Sequence, residues 1–165
     1  MLETQRERVP GNDGGELDTA LAFLGFQRAC VFKKIEGLDE EQLRRRLVVS
    51  DTTLLGLVKH LADGERWWFA HHVGGDPAYA DTDFSLVVPD EVSADEVVAD
   101  YRAAIAESDR HIAAAGSPDT KTQLPVGDDG PKTLRWVLAH MTAETARHLG
   151  HLDILREQID ETTGR

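Results

Sequence analysis

The chain has 165 residues, 41% hydrophobic and 29% charged, which suits one globular domain with a normal core. Its formal charge of −12 argues against a nucleic-acid partner: Lys33-Lys34 and Arg44-Arg45-Arg46 are short, acid-flanked clusters that read as solvated helix faces. Charges such as Lys59, Asp63, Glu65 and Arg66 break every apolar run, so no membrane span is expected, and residues 1–10 lack the apolar stretch of a signal peptide.

Residues 1 to about 15 carry Pro10, Gly11, Asn12, Asp13, Gly14 and Gly15 and read as a mobile arm before a single domain over 16–160. Leu17, Leu21, Leu24, Cys30, Val31 and Ile35 form the stripe of a first helix from near Glu16 to Ile35, ended by Gly37. Cys30, the single cysteine, excludes an internal disulfide, fits a reducing cytoplasm and reads as a small core residue rather than a catalytic thiol. Asp39 to Leu43 opens a short helical turn whose acids suit a helix N-terminus. A long helix follows from Ser50 or Thr53 to about Val73, stopped by Gly74-Gly75-Asp76-Pro77. The segment 76–90 has no helical period and reads as a long loop, a feature often tied to function. Ser93-Ala94-Asp95-Glu96 is a capping box that starts a helix running to Gly116. After a polar connection, the last helix spans about Thr133 to Ile159, leaving 161–165 as a tail. With no strand-period run and no repeat, the fold class is all-α, a four-helix bundle with long loop connections.

The last helix carries the chemistry. Its apolar stripe of Val137, Met141, Leu152, Leu155 and Ile159 has a gap, and Glu144 and His148 fall in it, one turn apart on one face. A charge on a face that should be buried costs several kcal/mol unless it is paired or bound to a cation. A third ligand should come from another helix, and His60 is the candidate. Gly56 and Gly64 flank it one turn away and would leave open volume around its ring; close helix packing is the plainer reading of the same glycines. Two histidines and a carboxylate leave a coordination position open, as in catalytic zinc sites, and the same set suits ferrous iron or nickel. Zinc is the first expectation. A simple charge-assisted hydrogen bond between Glu144 and His148 is the alternative that needs no metal.

His140 shares the row of Glu144 and His148, but that row spans ~12 Å at 1.5 Å per residue, too long for all three to meet at one ion, so His140 reads as a surface or supporting group. His151 is placed to orient a ligand, to act as a base, or simply to face solvent. His71, His72 and His111 read as structural, and Trp67, Trp68 and Trp136 as core or rim packing, with only one of Trp67 and Trp68 pointing inward. Arg147 and Arg156 read as helix-surface partners of Glu144, Glu157 and Asp160.

Two stretches, Leu54-Leu55-Gly56-Leu57-Val58-Lys59-His60-Leu61 with Glu65-Arg66-Trp67-Trp68-Phe69, and Glu144-Thr145-Ala146-Arg147-His148-Leu149-Gly150-His151-Leu152-Asp153, resemble the DinB-like metal-binding four-helix bundles. That superfamily includes the mycothiol-dependent maleylpyruvate isomerases, and the similarity runs from the Leu17 helix to Ile159. Members usually carry one histidine on the second helix and a His-x-x-x-His pair on the last. Here Glu144 replaces the first of the pair, as in the isomerase branch, and His151 stands where many members have glutamine. The resemblance implies a divalent metal at His60, Glu144 and His148, and an enzyme that uses it to activate a low-molecular-weight thiol or water against a small electrophile. Such an enzyme would be a thiol-dependent transferase or isomerase, or a metal-dependent hydrolase. A non-catalytic metal-binding or small-ligand-binding bundle, in a stress or sensing role, is the alternative. A homodimer is compatible with the aromatic content.

Overall fold

A computed structural model describes residues 7–11 and 14–164. Five α-helices follow in order: α1 (Glu16–Ile35), α2 (Glu40–Arg44), α3 (Leu54–Glu65), α4 (Ala94–Ala115) and α5 (Leu134–Asp160). The four long helices form the expected bundle, with α1 against α5, α5 against α3 and α3 against α4. No strand occurs among the described residues, and no helix among them is long and apolar enough to cross a membrane.

Local chemistry sets the helix ends. Thr53 and Thr133 accept the N–H groups of Gly56 and Trp136 and so start α3 and α5. Ser93 and Glu96 close the capping box of α4, and Asp39 with Gln42 closes one on α2. Gly37 and Gly116 take positive φ just beyond α1 and α4, where a side chain would be strained.

One departure from the expected winding matters for the site. The helix that starts at Leu54 does reach Val73, but Arg66–Val73 winds as a π-helix, with Gly74 donating to Phe69 O five residues back at 2.9 Å. The wider turn places Trp67 and Trp68 both half-buried on adjacent flanks, instead of one in and one out.

Two apolar clusters fill the bundle. One gathers Cys30, Val31, Leu55, Val58, Leu61, Tyr101, Ala104, Leu149 and Leu152; the other gathers Leu24, Phe69, Ile112, Leu134, Val137, Leu138 and Met141. On every long helix one buried polar residue lies between them: Arg28, Glu65, Ser108 and Thr145. Arg28 grips Glu65 through two hydrogen bonds of 2.7 and 2.6 Å and also reaches Asp109 at 2.8 Å. A polar layer therefore divides the core at mid-height.

Several solvated charges of the sequence reading turn out to be tied down. Lys34 is fully buried, paired with Asp153 at 3.0 Å and bonded to Gly164 O in the C-terminal tail. Arg44 is half-buried and donates to Val88 O, Pro89 O and Val92 O, pinning the end of the long loop. Residues 1–6 and 12–13 of the expected arm, and Arg165 of the tail, lie outside the described residues, while Glu7 pairs with Lys33 at 2.9 Å.

Candidate metal centre

At the level of the polar layer, where α5 faces α3, the structure brings His60, Glu144 and His148 together. One ligand-capable atom from each lies within 4.8 Å of the others. His148 Nε2 is 2.9 Å and His60 Nε2 4.0 Å from the same Glu144 oxygen, Oε1. The two imidazole rings meet edge to face, their centroids 4.7 Å apart. All three side chains are partly shielded, between 14% and 33% exposed.

The register of α5 differs from the expected stripe. Its buried row runs through Met141, Thr145, Leu149 and Leu152, with Thr145 donating to Met141 O at 2.7 Å. Glu144 and His148 sit one position to the side, on the flank turned to α3. The core row is continuous, and the polar pair borders it.

The loop after the π-segment completes His60. Its Nδ1 lies 3.1 Å from Phe84 O, and because a carbonyl only accepts, Nδ1 carries the proton and Nε2 presents a lone pair to Glu144 and His148. Gly56 does not leave open volume: a Cβ there would lie 2.1 Å from Leu86 O, so the glycine is where the loop backbone rests on α3. Gly64 has only ordinary contact room, with Met141 Cε 3.7 Å from a built Cβ.

Burial lowers the His148 pKa below the ordinary imidazole value, outweighing the opposing pull of Glu144, with His60 lowering it further. Burial raises the Glu144 carboxyl, but the His148 hydrogen bond and the surrounding imidazoles outweigh that and hold it below the usual carboxylate value. At neutral pH His148 is therefore neutral and Glu144 ionised; His148 Nε2 carries the proton that it donates to Glu144 and would release it, or shift it to Nδ1, on binding an ion. Donors about 2.0–2.1 Å from a zinc ion at tetrahedral angles lie ~3.3 Å apart, a value between the 2.9 and 4.0 Å that separate the two histidine Nε2 atoms from Glu144 Oε1. His148 Nδ1 is buried without a hydrogen-bond partner, so only Glu144 orients that ring. The residues present fit a divalent transition ion.

Other histidines take different places. His140 is stacked on Trp136, with centroids 5.2 Å apart and planes within 7°, and packs on Trp68 at 4.4 Å. It forms an aromatic wall beside the triad, outside the ligand group. His151 is exposed, its ring 5.6 Å from that of His148, and lines a cavity of about 260 Å³ with Val48, Ser50, Thr52, Ile154 and Leu155. His71 Nδ1 meets Asp76 O at 2.7 Å, and His111 packs on Gly74. His72 is buried against Trp67, the ring centroids 4.3 Å apart. Arg156 is buried, bonded to Asp160, Lys34 O and Glu36 O; Arg147 is exposed, and Glu144 pairs with His148 in its place. Burial pushes the Cys30 thiol up, as befits a core residue.

Two features escaped the sequence reading. The Phe84 carbonyl is backbone, invisible in a side-chain pattern. Arg28, by contrast, stands in the stripe of α1 between Leu24 and Val31, and a charge at a core position was a signal for a buried partner.

No curated protein matches the chain. The family described as mycothiol-S-transferase matches residues 19–161, from the first turn of α1 to just past the end of α5, and so takes in all three residues of the triad. The chain belongs to the mycothiol-S-transferase family, within the DinB-like four-helix bundles.

Proposed function

We propose that this protein is a metal-dependent S-transferase that binds mycothiol at the His60–Glu144–His148 centre and joins its sulfur to a small electrophile. The observation that carries the reading is the convergence of three ligand-capable atoms within 4.8 Å from two helices, in a chain whose family is named for that thiol. A divalent ion with one carboxylate and two neutral imidazoles keeps a net positive charge, which favours a bound thiol as its thiolate at neutral pH.

The chain's own residues perform the rest. His60 presents Nε2 because Phe84 O holds its other nitrogen. Glu144 supplies the one negative charge, and His148, one turn on, fixes the direction of that carboxylate. Phe84 and Trp67, ring centroids 5.5 Å apart, line the α3 side beside His60. His151, exposed beyond His148, is the group placed to carry away the thiol proton. The aromatic wall of Trp68, Trp136 and His140 and the cavity beside His151 flank the triad on its two sides along α5.

Zinc-loaded protein should accelerate conjugation of mycothiol to a haloalkyl fluorogenic probe, the sulfur displacing halide at the carbon it attacks, and should do so far better with mycothiol than with glutathione. Metal binding without any thiol transfer would leave a non-catalytic metal-holding bundle. The direct Glu144–His148 contact of 2.9 Å also supports a plain polar pair, which metal analysis separates from a ligand set.

A further inference from the structure

The segment 83–86 lies across α3 beside His60, and three separate contacts hold it there. Lys59 Nζ donates to Asp83 O at 2.9 Å and Ser85 O at 3.1 Å, the two carbonyls that bracket Phe84. Its third proton goes to Asp63 Oδ2 at 2.9 Å, one turn along α3, so every donor of the ammonium is engaged. Asp83 stiffens the turn from within, its carboxylate accepting from Ser85 N at 2.9 Å and Ser85 Oγ at 2.7 Å. On the next turn of α3 toward its N-terminus, Gly56 admits Leu86 O to a place that any Cβ would contest at 2.1 Å.

The middle carbonyl of this stretch, Phe84 O, accepts from His60 Nδ1, and the Phe84 ring packs on His60 edge-on with centroids 5.8 Å apart. Lys59 and His60 are chain neighbours on α3. One points its ammonium at the outer two carbonyls, the other its imidazole at the inner one. An imidazole can carry its proton on either nitrogen, and only the Nδ1–H form leaves a lone pair on the Nε2 that faces Glu144 and His148.

We propose that Lys59 and Gly56 are positioning residues: together they hold the Phe84 carbonyl on His60 and so keep its imidazole in the tautomer that presents Nε2 to the metal centre. Lys59 acts as a tether through Asp83 O and Ser85 O on either side of Phe84, and Gly56 as a seat for Leu86 O two residues on. This rests on the metal reading of the triad for its consequence, but the tautomer itself is a property of the metal-free chain.

The test therefore has two readouts. The first is the imidazole nitrogen NMR spectrum of His60 in metal-free wild type, Lys59→Met and Gly56→Ala, assigned by comparison with His60→Gln. Wild type should show the Nδ1–H tautomer, and both variants should show a mixture or the Nε2–H form. The second is zinc affinity by competition with a chromophoric chelator. Each variant should bind ~10-fold or more weakly, the scale of a lost partner to a metal-bound histidine, while circular dichroism shows an intact bundle. An unchanged Nδ1–H signature in both variants would overturn the proposal, as would wild-type zinc affinity in both. If wild type binds no metal, the tautomer result still decides the tether while the metal reading alone fails.

Discussion

Arg28 on α1 and Glu65 at the last residue of α3 form a two-pronged ion pair at 2.7 and 2.6 Å inside the bundle, with side-chain exposures of only 7% and 1%. This pair sits where α3 gives way to π-winding, between the two apolar clusters, and it is the centre of the polar layer that the triad borders. Removing one partner strands a buried charge. Arg28→Ala or Glu65→Ala should each cost ~3–5 kcal/mol of stability by urea unfolding, whereas the double change Arg28→Met with Glu65→Leu should recover most or all of it. Equal losses in the single and double variants would contradict the assignment.

Tyr101 is fully buried near that pair, and its hydroxyl has no hydrogen-bond partner. Burial pushes its pKa well above the usual phenol value, with the Glu65 charge adding to the effect. Tyr101→Phe should therefore leave stability unchanged or raise it, since an unmet buried hydroxyl costs ~1–3 kcal/mol. A clear loss on calorimetry would reveal a bound partner for that oxygen.

Acid should loosen the junction of α2 and α4. Glu40 accepts from Ala94 N at 2.8 Å and Arg44 Nε at 2.6 Å, and these bonds hold its carboxyl below its ordinary value of 4.5. Its folded pKa is depressed, so the unfolded chain binds more protons: this stability is complete above about pH 4.5 and is lost as pH falls through the folded value. Thermal midpoints measured from pH 7 to pH 3 should fall less steeply for Glu40→Gln than for wild type below pH 4.5. Parallel curves would show that Glu40 plays no part.

Metal should stabilise the fold. An ion that binds only the folded chain adds ~2.7 kcal/mol when its free concentration is 100 times Kd, which for a domain of this size is a rise of ~5–10 °C in Tm. A chelator should reverse it. The same zinc addition should leave the Tm of His148→Ala unmoved.

Much of this architecture was legible in the residues, and the exceptions have physical causes. Helix ends were readable because caps are local: Thr53, Ser93 with Glu96, Gly37 and Gly116 act within a turn of themselves. The spacing of Glu144 and His148 was readable for the same reason, since four residues on a helix bring two side chains into contact wherever the helix lies. The π-winding of Arg66–Val73 was not, because it leaves no mark on the apolar period. Lys33 and Lys34 read alike as surface charges; the turn of α1 against Asp153 and the C-terminal tail buries the second. Gly56 stands out on α3 in the sequence, but what fills its place is a carbonyl 30 residues away, and such contacts exist only once the chain has closed on itself.

The most direct test of the central claim is metal content by elemental mass spectrometry, on protein purified without an affinity tag, for wild type and for His60→Ala, Glu144→Ala and His148→Ala. Wild type should hold about one divalent transition ion per chain, as expected for a single three-ligand centre, and all three variants should lose it while their helical signal is kept. A wild-type protein that takes up no zinc, nickel or ferrous iron, or variants that hold metal as well as wild type does, would contradict it.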